Sequence, residues 1–123
     1  MDDFTKGYIE AALWSSNDDN DNPMDNNYDI NSLSNETFVK MITDCTVFQL
    51  ANKVELEQAY KLYKKDDWTA EAQAGHDFWL TRNGHGTGFW DRDLGEIGDK
   101  LTKISEKHGN FDIFIDDNME ISH

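Results

Sequence analysis

Gly75-His76-Asp77-Phe78-Trp79-Leu80-Thr81-Arg82-Asn83-Gly84-His85-Gly86-Thr87-Gly88-Phe89-Trp90-Asp91-Arg92 is the stretch whose reading decides the fold. Asp77 to Arg82 is aromatic and β-prone, Asn83 to Gly86 has turn chemistry, and Phe89-Trp90 follows. That order predicts a β-hairpin with a glycine-rich tip. Just upstream, Asp67 or Thr69 can cap a short helical turn through Ala70-Glu71-Ala72, with Gly75 as its stop.

Working outward, the N-terminal half reads as helical. Phe4, Tyr8, Ala11 and Ala12 recur on one face of a helix over about 4–15. Ser34 or Asn35 caps a second helix whose stripe is Phe38, Met41, Ile42, Cys45 and Phe48, with Glu36 at the positive end of its dipole. A third helix over about 53–64 turns Leu56, Ala59, Tyr60 and Tyr63 inward. Between the first two lies 16–34, dense in Asn, Asp and Ser and holding the chain's only proline, Pro23. A connection this long is either functional or mobile. After the predicted hairpin, Leu94, Ile97, Leu101, Ile104 and His108 mark a helix closed by Gly109. Phe111, Ile113 and Ile115 then alternate as a strand that Met119-Glu120-Ile121 pairs on the way back. The sum is an α+β single domain over 1–123. Its N-terminal helices pack on a small three- or four-stranded antiparallel sheet with one inserted helix.

The 123 residues include 25 acids and 11 bases, for a net charge of −14. Phosphate binding draws on Lys and Arg, so direct contact with nucleic acid or an anionic membrane face is disfavoured. The excess sits at the ends: 1–33 is net −7, 34–90 is net −2 and 91–123 is net −5. One cysteine, Cys45, permits no internal disulfide and fits a small core residue. No apolar run approaches a membrane span, and the start Met1-Asp2-Asp3 is unlike a signal peptide. The expectation is a cytoplasmic protein.

Two groups of carboxylates are candidate partner-binding residues. Asp18, Asp19, Asp21, Asp25 and Asp29 come from the loop, and Asp112, Asp116, Asp117 and Glu120 from the tail. Spread evenly over about 6,800 Å², the net charge would give one unit per roughly 480 Å². A DNA duplex presents one per roughly 110 Å². Imitation of DNA therefore requires the acids to gather on one face; otherwise they merely keep the surface solvated. Trp79 and Trp90 are candidate anchors, since at least one can face outward from a hairpin, unless helices cover both of its faces.

His76, Asp77, Arg82, His85, Asp91 and Arg92 form an alternative site with acid, base and oxyanion-stabilising types. No nucleophile pattern or dinucleotide spacing accompanies them. The plain alternative leaves His85 at an exposed turn and pairs Asp77 and Asp91 with Arg82 and Arg92 across the hairpin. No zinc spacing is present, and Pro23 and Met24 fall where a calcium loop needs a ligand and a glycine. No metal or cofactor is expected.

The Gly75–Arg92 segment, with Asp93-Leu94-Gly95-Glu96-Ile97-Gly98-Asp99-Lys100-Leu101-Thr102 after it, resembles a family of small acidic bacteriophage and mobile-element proteins. Tyr8-Ile9-Glu10-Ala11-Ala12-Leu13-Trp14-Ser15-Ser16-Asn17-Asp18 is similar to the opening of that family. No activity comes with the resemblance; it implies a phage context and a host-facing role. The expected function is an acidic inhibitor that occupies the basic groove of a host nucleic-acid-handling protein. The alternatives are a small enzyme or ligand-binding module at His76–Arg92, and a self-associating protein.

Overall fold

Asp2 starts the first helix, α1 (Asp3–Ser15), by accepting a hydrogen bond from the Thr5 amide at 2.8 Å. The computed structural model describes residues 1–85 and 88–123. Among them lie four further helices, α2 (Asn35–Ala51), α3 (Lys53–Tyr60), α4 (Ala70–Arg82) and α5 (Glu96–Lys107). Two strands of two residues each, β1 (Phe114–Ile115) and β2 (Ile121–Ser122), pair antiparallel in register Phe114 with Ser122 and Ile115 with Ile121. The caps follow sequence chemistry: Ser34 accepts from the Thr37 amide and Thr69 from the Ala72 amide.

The predicted hairpin is wrong. Asp77 to Arg82 completes α4, which passes through Gly75 without a break. Gly86 and Thr87, part of the predicted tip, lie outside the described residues. With that hairpin gone, the predicted three- or four-stranded sheet reduces to the pair β1–β2 among the described residues. The molecule is mostly helical, with one hydrophobic core.

Gly75 misled the reading because it serves a contact between helices instead of a helix end. A Cβ built on Gly75 would lie 1.8 Å from the Phe4 carbonyl oxygen, and one on Gly7 would lie 2.0 Å from the Ala72 carbonyl oxygen. α1 and α4 thus touch backbone to backbone. They run in the same direction, with Thr69 bonded to Asp3 at one end and Trp79 Nε1–H donating to Ser15 at the other. Such an approach excludes any side chain at either position. It draws the aromatics of both helices together: Tyr8 lies 5.3 Å from both Phe78 and Trp79, and Phe48 of α2 stacks on Phe78 at 4.0 Å. Each such ring, fully buried, contributes about 1.5–3 kcal/mol of transfer free energy.

The α1 stripe Phe4, Tyr8, Ala11 and Ala12 is buried as its spacing predicts, as are Met41, Cys45 and Phe48 of α2. The 16–34 segment is knitted to the body. Met24 is fully buried, and the Met24 amide bonds the Ser16 carbonyl at 2.8 Å. At its far end Leu33 bridges Ile121, and the Ser34 amide donates to the Ile121 carbonyl at 2.9 Å.

Helix propensity alone makes Gly75→Ala stabilising by about 1 kcal/mol. The α1–α4 contact reverses the sign: the added methyl overpacks rigid backbone and costs about 2–3 kcal/mol. Urea titration of Gly75→Ala checks this, and a midpoint above that of the parent would contradict the packing described.

Candidate functional site

The parallel run of α1 and α4 sets Trp14 beside His76, with ring centroids 5.8 Å apart. Trp68, just before the α4 cap, meets the same imidazole nearly at right angles, 5.5 Å away. The three rings line a corner of a cavity of about 400 Å³. Glu10 and Leu13 of α1 and Asp25 of the acidic loop complete the walls. Asp25 is placed there by its neighbour Met24, which is sunk in the core. Smaller hollows flank Trp68, one including Lys6 and Asp67, the other Asp66, Gln73 and Arg92.

Behind His76 sits a buried charged group. Asp77 is fully buried and accepts from Tyr63 Oη–H at 2.6 Å and from Arg92 Nε–H at 3.0 and 3.2 Å. Burial raises the Asp77 carboxyl to about 6, although Tyr63 and Arg92 pull it down. Burial, followed by the positive charge of Arg92, pushes the His76 imidazole down to about 4, so it is neutral near pH 7. His76 Nδ1 lies 4.0 Å from Asp77 Oδ1 and has no hydrogen-bond partner among the described residues. A neutral imidazole, two carboxylates and two indoles present acceptors and π-faces, a lining that favours cations over anions.

The alternative site is only partly assembled. His76, Asp77 and Arg92 come together, but on a helix and the turn after it. Arg82 departs from them: its predicted pairing across a hairpin is replaced by a core network. Its Nη1 donates to Asp44 Oδ2 at 2.9 Å and to Tyr8 Oη at 3.0 Å. Its Nε and Nη2 hold the carbonyls of Gly109 and His108. Burial raises Asp44, but the bonds from Lys40 and Arg82 outweigh it and leave the carboxyl below its usual range. His85 and Asp91 are exposed, and neither lines the cavity.

Trp79 is corrected outright as an anchor. It is 2% exposed, with its N–H bonded to Ser15 and its ring against Phe111. Helical periodicity, not strand alternation, governs where it points. Trp90 does face outward, at 52% exposure.

The carboxylates divide. Asp18 accepts from the Asn20 and Asn22 amides, Asp21 from the Asn17 side chain, and Asp29 from the Asn31 amide. Asp116 accepts from the Ser122 hydroxyl and from the Glu120 and Asn118 amides, and these bonds lower its carboxyl. Among the described residues, Asp19, Asp25, Asp112, Asp117 and Glu120 make no side-chain hydrogen bond within the chain.

Glu10, Trp14 and Trp68 escaped the sequence reading. Trp14 carried a usable signal, since a large apolar ring stands there off the Phe4–Tyr8–Ala11 stripe of its own helix. Comparison with family models, curated proteins and solved structures finds no match.

Between about pH 6.5 and pH 4 the unfolded chain protonates His76 while the folded chain resists. The stability this group contributes is present at higher pH and lost as pH falls through that window. Asp77 acts oppositely, since its raised value makes its contribution fade as pH rises through about 6. His76→Gln removes only the first effect. Relative to the parent it gains on the order of 1–2 kcal/mol between about pH 7 and pH 4.5, discounted for the solvent the ring still meets. Denaturant midpoints at the two pH values measure the gain; an unchanged gap would mean that the imidazole titrates freely.

Proposed function

We propose that this chain is a phage-encoded, non-enzymatic inhibitor that binds a host nucleic-acid-handling protein through an acidic face formed by the 16–34 loop and the tail. One observation carries the reading. The loop and the tail after Lys107 hold nine carboxylates and no Lys or Arg, and the Leu33–Ile121 bridge ties the two segments together. Asp25 extends the loop's charge to the rim of the Trp14–Trp68 cavity.

The turn-forming aspartates add to this. Backbone amides hold the side chains of Asp18, Asp29 and Asp116 in fixed positions. Preorganised charges lose little conformational entropy on docking. Their attraction for a basic groove speeds the encounter, and exposed indoles at Trp14, Trp68 and Trp90 supply desolvated contact area. A phosphate-lined duplex competes for the same groove, which makes DNA mimicry the mechanism of inhibition. The resemblance to phage proteins supplies the host setting, inside the cytoplasm.

The cavity beside His76 favours a second reading, a ligand-binding module or small enzyme using His76, Asp77 and Arg92. Neutralising Asp19, Asp112, Asp117 and Glu120, none of which lines the cavity, separates the two, since the second reading expects no effect. Arg82→Ala does not, because it removes a buried group bonded to Asp44, Tyr8 and two carbonyls of the core.

The test immobilises the protein and passes host lysate over it. A basic protein should be retained at low salt and displaced by duplex DNA. Raising salt from about 0.05 M to about 0.5 M cuts the screening length from roughly 13 Å to roughly 4 Å and should release it. The variant Asp19→Asn, Asp112→Asn, Asp117→Asn and Glu120→Gln spares the internal hydrogen bonds and the cavity; it should retain at least tenfold less. Equal retention by that variant, or a complex indifferent to salt and DNA, would contradict the proposal.

A further inference from the structure

We infer that the cavity walled by Glu10, Leu13, Trp14, Asp25, Trp68 and His76 is a receptor for one arginine side chain of the partner. This rests on the reading of the chain as a binder of basic proteins and specifies how that binding is anchored.

The lining argues for a cation. Indole is the strongest π-acceptor for a cation among the aromatic side chains, and Glu10 and Asp25 add formal negative charge to the same walls. His76 carries no opposing charge near neutrality, and burial is the first cause of that. The chain's own nearby cations are engaged or placed elsewhere. Arg92 is bound to Asp77, and Lys6 lines the neighbouring hollow. Among the described residues no Lys or Arg lines this cavity, which leaves it open to a cation from another molecule.

The lining also argues for arginine over lysine. A guanidinium is planar, stacks on an indole face and donates two parallel hydrogen bonds to one carboxylate. A lysine ammonium is a strongly hydrated point charge that gains less from flat walls. The apolar part of the lining, Leu13 with the two ring faces, suits the three-methylene stem. At about 400 Å³ the cavity falls within the range of small-ligand sites, roughly 300–1,000 Å³. Its walls are supported from beneath: α1 and α4 cannot slide apart without losing the Gly7 and Gly75 contacts, and the Tyr63–Asp77–Arg92 group backs His76. The site is therefore built before the ligand arrives, which limits the ordering lost on binding.

The probe is N-acetyl-arginine methylamide, set against its lysine and citrulline counterparts. Citrulline keeps the shape of arginine and lacks the charge. Proton–nitrogen correlation spectra of the labelled full chain follow the indole N–H signals of all four tryptophans. The arginine probe should shift Trp14 and Trp68 saturably in the millimolar range, with Trp79 unmoved. Citrulline should produce no shift, and lysine should bind at least threefold more weakly. Trp14→Ala and Asp25→Asn, both at exposed positions outside the core, should abolish the response while the remaining spectrum stays folded. Trp14→Ala should also weaken capture of the basic partner by about 30-fold, the size expected for truncating a hot-spot tryptophan.

Equal shifts with citrulline would overturn the inference, as would equal binding of lysine or shifts confined to the acidic loop and tail. If partner capture survives Trp14→Ala yet fails on loop and tail neutralisation, the arginine receptor is wrong and the acidic face stands. If the arginine probe binds as described but no basic protein is captured, the acidic-face function is wrong and the cavity stands as a site for a guanidinium ligand.

Discussion

The contact between the backbones of α1 and α4 is the constraint from which the rest of the structure follows. Two glycines, Gly7 and Gly75, let the helices approach until a methyl group at either would collide with a carbonyl of the other. At that separation the side chains flanking the seam are forced outward to both sides. On one side Phe4, Tyr8, Phe78 and Trp79 interlock with Phe48 to form the core. On the other, Trp14 and His76 are left adjacent at the surface and open a cavity. Core and candidate site are two faces of one helix crossing.

Two buried ion pairs extend that crossing to the remaining elements. Arg82 at the end of α4 reaches Asp44 of α2, Tyr8 of α1 and the carbonyls after α5, so four helices meet at one guanidinium. Asp77 draws in Arg92 from the turn before α5 and Tyr63 from the turn after α3. Each arrangement satisfies most of its polar atoms, which is what permits charge in a small core. Removing Arg92 would leave the Asp77 carboxylate away from water without its counter-charge, and removing Asp44 would do the same to Arg82.

Much of the helical architecture was legible in the sequence, because 3.6-residue spacing and capping chemistry speak locally. Phe4-Tyr8-Ala11-Ala12, the Met41–Cys45–Phe48 stripe, Ser34, Thr69 and Gly109 all do what their positions imply. The centre of α4 was illegible for an equally physical reason. Phe78-Trp79-Leu80-Thr81 is β-prone in isolation, and Gly75 and Gly84 bracket it like turn residues. Tertiary burial overrides weak local preference, and the energy that selects helix comes from Phe4 and Tyr8, some seventy residues away in the chain. The same override hides the site: the sequence marks His76, Asp77 and Arg92, but a hairpin does not bring them to Trp14, Trp68 and Glu10, whereas a helix packed on α1 does. The acidic segments were legible as charge, while their joining through Leu33 and Ile121 depends on a single bridge that no local pattern announces.

The functional account follows from this geometry: a helical body carries carboxylates on two linked segments, and Asp25 of the first segment lines an aromatic corner. Its foundation is the helix crossing, and the most direct measurement is a set of nuclear Overhauser contacts involving the Gly75 α-protons. The account predicts cross-peaks from them to backbone protons of Phe4 and Tyr8, with sequential helical contacts running unbroken from Ala70 to Arg82. Cross-strand contacts between 77–82 and 88–91, with none from Gly75 to α1, would contradict it.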